Sequence, residues 1–319
     1  MDNPYLDKYI SYIKTVKRYS LRTVTGYEDV LREYFVYTHP EDIPYNDKTL
    51  SEDLTSVQVR NYEVWLMEMR KMSPVSVNHH LSVLSGFCRW LLAQNLLISN
   101  PVKVVKRPKV SHRLPEFYKE DSMNEYFQQT EWCAGEDMEV PYSDRLGRAI
   151  VSTLYSTGIR RSELINLKLS DLDCSRKVIR IAGKGDKIRE IPLVDVLYQE
   201  ILLYLHAVEG LVGGARTADS PLFVRPNGDP LYPVFVDRVV KKELLLVKGI
   251  TGRRSPHVLR HTLATSLLDS GSDLNSIKEL LGHSSLAATQ VYTHNSISRL
   301  KKVYQTAHPR AKNGGKHGD

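Results

Sequence analysis

In "SPHVLRHTLATSLLDSG", residues 255 to 271, His257 and Arg260 stand three positions apart, and in "LLGHSSLAATQVYTH", residues 280 to 294, His283 precedes Tyr292 by nine. An imidazole titrates near neutral pH and can take a proton. A guanidinium grips anionic oxygens through its planar fork, and a tyrosine hydroxyl becomes a nucleophile once its proton has an acceptor. Each residue also has a plainer reading. His257 and Arg260 would make an ordinary surface pair, and Tyr292 a half-buried core residue like most of the eighteen tyrosines. His257 and His261 have the i, i+4 spacing of zinc ligands, but the zinc-peptidase motif puts Glu directly after the first His, where Val258 stands. No metal site is read from this pair.

The elements that must present these residues are well marked. Ser255 is an N-cap, Pro256 takes the first helical position and Gly271 stops the helix. Leu259, Leu263 and Leu267 form its buried stripe, so His257, Arg260, His261 and Ala264 lie on another face. Asp273 caps "LNSIKELL", Gly282 ends it, and Ser284 or Ser285 caps "LAATQVY", placing His283 at a tight helix junction and Tyr292 at the far end of the second helix. Upstream, "DRLGRAIVSTLYSTG" is helical and leads into "IRRSELINLKLSDLD", and "KVIRIAGKGDKIREIPL" reads as a hairpin joined by Gly183 to Lys187. The predicted class is mainly α with a small antiparallel sheet.

Residues 1 to about 98 read as four short helices in one bundle. The clearest is "SPVSVNHHLSVLSGFCRWLLAQNLL", with Ser73 as cap, Pro74 at the first helical position and an apolar face of Val77, Leu81, Leu84, Phe87 and Leu91. After it, "SNPVKVVKRPKVSHRLPEF" carries Lys103, Lys106, Arg107, Lys109 and Arg113 with no intervening acid, and its prolines interrupt any helix. This is a basic interdomain linker or a solvated loop. The reading divides the chain into a helical domain at 1–100, a linker at 101–115, a second domain at 116–311 and a disordered tail at 312–319.

A chain of 319 residues can bury substantial cores and fits about two domains. The net charge of +7 favours a polyanionic partner. Cys88, Cys133 and Cys174 are odd in number and widely spaced, which argues against a disulfide framework or a CxxC metal site. No apolar run approaches the ~20 residues that span a bilayer, and the N-terminus lacks the regions of a signal peptide, so no membrane association and a cytoplasmic location are expected.

The set "TGIRRSEL", "GKGDKIREIPL", "SPHVLRHTLATSLL", "LLGHSSLAATQVYTH" and "HPRA" resembles, in order and spacing, the tyrosine recombinases (phage integrase family), and within them the Xer site-specific recombinases. The resemblance covers nearly the whole chain. It implies a SAM-like four-helix core-binding domain followed by a catalytic domain with a C-terminal exchange helix. It also implies a catalytic set of Arg160, Lys184, His257, Arg260, His283 and Tyr292, the last as nucleophile. Arg161 and Lys187 are the neighbouring rivals of Arg160 and Lys184, and Glu163 either orients an arginine or lies on a helix surface. "SVNHHL" departs from the family, which often has two arginines where His79 and His80 stand. Weaker or pH-sensitive contacts to DNA are expected there.

By this resemblance Tyr292 attacks a DNA phosphodiester, forming a 3′-phosphotyrosine and, after strand exchange, a Holliday junction, with no metal or cofactor required. His257 accepts the proton, Arg160 and Arg260 hold the nonbridging oxygens, Lys184 protonates the leaving oxygen, and His283 bonds a nonbridging oxygen or packs beside the nucleophile helix. Arg22, Arg89, Lys103, Lys106 and Arg107 are expected to contact phosphates of a double-stranded core site. The amphipathic stretch "SISRLKKVYQTAHPR" covers its own domain or docks on a neighbour in a homo- or hetero-tetramer on two duplexes. A second recombinase and a DNA translocase such as FtsK are possible partners. Chromosome dimer resolution is the expected role; a mobile-element integrase, a DNA invertase or a noncatalytic DNA-binding accessory protein are the alternatives.

Overall fold

The computed structural model describes residues 3–39, 45–110, 116–130, 140–183, 188–211, 216–282 and 310. The chain divides into two compact units, 1–113 and 114–319. Among the described residues no helix is long and apolar enough to cross a membrane.

The first unit contains α1 (Pro4–Thr15), α2 (Leu21–Thr38), α3 (Asp47–Asp53), α4 (Ser56–Glu68) and α5 (Pro74–Ala93). Local chemistry starts each helix: the Asn3, Ser20, Asn46, Thr55 and Ser73 side chains all accept backbone N–H bonds of the first turn. The predicted face of α5 is wholly buried, since Val77, Leu81, Leu84, Phe87 and Leu91 are all 0% exposed. Edge-on aromatic pairs fill the centre, with Tyr34 4.9 Å from Tyr62 and Phe35 5.7 Å from Phe87. The short α3 is additional to the four helices expected from sequence. A 3-10 turn at Pro101–Val104 follows, and Val102 and Val105 pack into this unit's core, so the stretch read as the start of the linker is partly structural.

The second unit is built around α7 (Tyr142–Thr157), in which every residue from Leu146 to Thr157 is buried. A helix buried on all sides forms the centre of its domain. Against it pack α9 (Asp195–Leu211), α10 (Pro233–Glu243) and α11 (Pro256–Asp269), while α6 (Glu120–Gln129) contributes Met123, Tyr126 and Phe127 to the same core. Short α8 (Arg161–Ile165) follows α7, and α12 (Leu274–Leu281) follows α11. The sheet is antiparallel with order β1-β2-β3, formed by Leu172–Asp173, Val178–Ala182 and Ile188–Pro192. Ile179 faces Ile191 and Ile181 faces Arg189 across the expected hairpin.

Arg310, from "HPRA", is buried in this unit. Its guanidinium donates to Glu200 Oε1 at 2.6 Å and Oε2 at 3.1 Å, and lies 3.8 Å over the Phe127 ring. Arg148 donates to the same carboxylate from Nε at 3.0 Å. Burial alone would raise the Glu200 pKa, but Arg310 and Arg148 outweigh it and hold the carboxyl below its usual range. Removing the shared acid strands two buried cations. Glu200→Ala is therefore expected to destabilise this unit by about 3–5 kcal/mol, measured by denaturant unfolding.

Candidate active site

Gly158 sets the geometry. It ends α7 in the left-handed conformation, φ +61°, and a Cβ there would lie 2.6 Å from Leu281 Cδ2 and 2.9 Å from Leu263 Cδ2. Only glycine satisfies both the turn and the close approach of α11 and α12. The chain turns at this point into Ile159 and Arg160, delivering Arg160 beside the end of α12.

Three guanidiniums converge on that end. Arg189 Nε donates to Leu280 O at 3.2 Å, Arg260 Nη2 to Leu281 O at 2.5 Å and Arg160 Nη2 to Gly282 O at 2.9 Å. Arg260 also donates to Gly158 O at 2.5 Å, at the end of α7. Unpaired carbonyls and the negative pole of the dipole make a helix C-terminus a natural cation seat. Arg260 is buried, unlike a surface member of a His–Arg pair. Burial, then the charges of Arg160 and Arg189, pull its pKa down to about 10 against the pull of Glu163.

Glu163 organises the cluster from the first turn of α8. Its Oε2 accepts from Arg160 N at 2.7 Å, and its Oε1 from Arg160 Nη1 at 2.9 Å. Arg189 bonds both oxygens, Nη1 to Oε1 at 3.0 Å and Nη2 to Oε2 at 2.8 Å. Burial pushes the Glu163 pKa up, yet these bonds and the charge of Arg189 keep it below the usual carboxylate range. Glu163 thus lies 9% exposed among arginines, and the helix-surface alternative does not describe it. Arg161 turns elsewhere, to pair with Asp237 on α10.

His257 projects from the start of α11, exposed, with Nε2 3.0 Å from Nε2 of His261. Its pKa is lowered, first by burial, then by His261, Arg260 and Arg253. An imidazole held neutral at neutral pH is suited to accept a proton. Among the described residues no group of three or more His, Cys, Asp or Glu could hold a metal ion. Ser255 occupies the expected cap position of α11, but its hydroxyl makes no cap bond. Lys184, Lys187, His283 and Tyr292 lie outside the described residues; Gly183 and Gly282, which precede Lys184 and His283, are inside.

Arg189 is the participant that sequence reasoning missed. The one available signal was its strand register, since Arg189 shares a face with buried Ile191 while Ile188 points outward, 60% exposed.

In the first unit Arg107 donates to Asn78 O at 3.1 Å and to Ser82 Oγ at 2.7 Å, on the face of α5 that also carries Arg89. Arg22, Arg89, Lys103 and Lys106 are exposed. His80 departs from the expected DNA contact. It is buried, with Nδ1 3.0 Å from the Tyr62 hydroxyl, and burial lowers its pKa.

A model of the Phage integrase family matches residues 140–299, and one of the Phage integrase N-terminal SAM-like domain matches residues 6–95. The chain belongs to the phage integrase family. Tyrosine recombinase XerC of Bacillus pumilus (strain SAFR-032) is 35% identical over 305 residues, 95% of each protein. The Tn1549 transposon integrase, solved in complex with circular intermediate DNA, has the same fold: TM-score 0.66 at 19% identity over 93% of this chain and 98% of that one. So does the XerH recombinase bound to its difH substrate in a pre-cleavage complex, with TM-score 0.61 at 20% identity over 94% and 82%. Members of this family are site-specific DNA recombinases, and the chain is an enzyme of that class.

With His257 as proton acceptor, cleavage should fail as pH falls through its lowered pKa, below the ordinary imidazole value near 6.5. His261→Asn removes one cause of the lowering. The acid limb of the single-turnover cleavage rate should move up toward 6.5 without reaching it, because burial remains. A limb that stays put or moves down would contradict this.

Proposed function

We propose that this chain cuts and rejoins double-stranded DNA at a short core site through a 3′-phosphotyrosine on Tyr292, as an Xer-type recombinase resolving chromosome dimers in the cytoplasm. The observation that carries the reading is the guanidinium cluster: Arg260, close enough to Arg160 for that charge to lower its pKa, and Glu163 shared between Arg160 and Arg189. A surplus of positive charge, fixed before substrate arrives, is what the nonbridging oxygens of a phosphodiester require.

Ionising a phenol of pKa near 10 at pH 7 costs roughly 4 kcal/mol, and His257 together with the cationic field offsets that cost. Lys184, from the link between β2 and β3, protonates the leaving 5′ oxygen, and His283 completes the phosphate grip. The covalent intermediate retains the energy of the broken bond until a DNA hydroxyl attacks it. Arg107 and Arg89, with Arg22, Lys103 and Lys106, contact the DNA backbone. The working assembly is a homo- or hetero-tetramer on two duplexes, with a second recombinase and an FtsK-like translocase as its further partners.

The test incubates the protein with nicked duplex fragments of its source genome, which trap the cleaved strand. A denaturant-resistant protein–DNA adduct is expected, undiminished by a chelator and absent from Tyr292→Phe. Arg160→Gln should slow adduct formation about 10²–10³-fold. Sequencing the trapped DNA identifies the core site. Tight binding to the same fragments without any adduct would favour a noncatalytic DNA-binding protein of this fold.

A further inference from the structure

We infer that Arg189 is a positioning residue for the phosphate grip: it neutralises Glu163 so that Glu163 can orient Arg160 without cancelling its charge. The inference rests on the proposed role of Arg160. Four N–H groups bond the Glu163 carboxylate, two from Arg160 and two from Arg189, and each oxygen takes one from each arginine. A carboxylate bonded by Arg160 alone would hold that guanidinium in place and consume its charge. With Arg189 present, the three groups carry a net +1, and the exposed part belongs to Arg160: its side chain is 43% exposed, against 8% for Arg189 and 7% for Glu163. The charge surplus therefore faces solvent, where a phosphodiester would arrive.

The same guanidinium joins three parts of the site. Arg189 stands on β3, the strand that leaves the link containing Lys184. Its Nε holds Leu280 O, and a Cβ on Gly282 would lie 3.0 Å from its Nη1. Gly282, with φ +64°, ends α12 and directly precedes His283. One side chain therefore ties the lysine-bearing hairpin, the first arginine and the last turn of α12 together. A buried bidentate pair suits this task because its fork fixes orientation as well as distance.

The test uses duplexes carrying the core sequence recovered by adduct trapping, with either an ordinary scissile phosphodiester or one in which a methyl group replaces a nonbridging oxygen. The methylphosphonate lacks the charge that Arg160 is there to meet. Arg189→Gln is expected to form the covalent adduct about 10–100-fold more slowly on the phosphodiester, with DNA affinity within about twofold of the unsubstituted protein. Its deficit should shrink on the methylphosphonate, as should that of Arg160→Gln. Arg189→Lys keeps the charge but loses the fork, and should be about 3–10-fold slower with the same relief. If Arg189→Gln does not fold, the lysine variant carries the test alone. Adduct formation at the unsubstituted rate, or a deficit equal on both substrates, would overturn the inference. If Arg160→Gln also cleaves normally, the assignment of the site fails; if only Arg160→Gln is impaired, the inference about Arg189 fails and the assignment stands.

Discussion

The site depends on one constraint: three like charges must be held together at one helix end. Arg160, Arg189 and Arg260 repel one another, and two of them are buried, where an unpaired cation is expensive. The end of α12 resolves this by offering three successive carbonyls, Leu280, Leu281 and Gly282, one to each guanidinium. Such seats are individually modest, about 0.3–2 kcal/mol each. Their importance is geometric, because three successive carbonyls of one helix end seat the three cations side by side. The depressed pKa of Arg260 shows the cost of this packing.

The fold follows from the need to bring distant segments to that end. Buried α7 supplies a rigid axis, and Gly158 lets it stop where α11 and α12 meet. Arg260 then closes two helix ends at once, through Gly158 O and Leu281 O. The sheet brings Arg189 from the other direction. At the C-terminal end of the chain, Arg310 repeats the Glu163 arrangement: one buried carboxylate, Glu200, accepts two arginines.

Much of this was legible in the sequence, and the exceptions have physical causes. Helices α5 and α11 announce themselves through a Ser-Pro start and an uninterrupted apolar stripe. Helix α3 has seven residues and one buried aliphatic side chain, Leu50, so no period could be seen. Strand β1 is two residues long. Arg160 and Arg260 stand where the motifs put them; motif alignment favours Arg160 over Arg161, and in the structure the two turn to different partners, Glu163 and Asp237. Arg189 escaped because an arginine on the inner face of a short strand breaks the alternation that pattern reading relies on. The departure at His79 and His80 from the family's two arginines signalled a weaker DNA contact there, but not that Tyr62 and the core of the first unit would hold His80.

The most direct measurement is the structure of Tyr292→Phe bound to its core DNA. The account predicts the scissile phosphate within about 2.7–3.0 Å of both the Arg160 and Arg260 guanidiniums, with the Glu163–Arg189 pair unchanged beneath them. A phosphate placed away from these arginines, with Arg160 still on Glu163 and Gly282 O and Arg260 still on Gly158 O and Leu281 O, would contradict it.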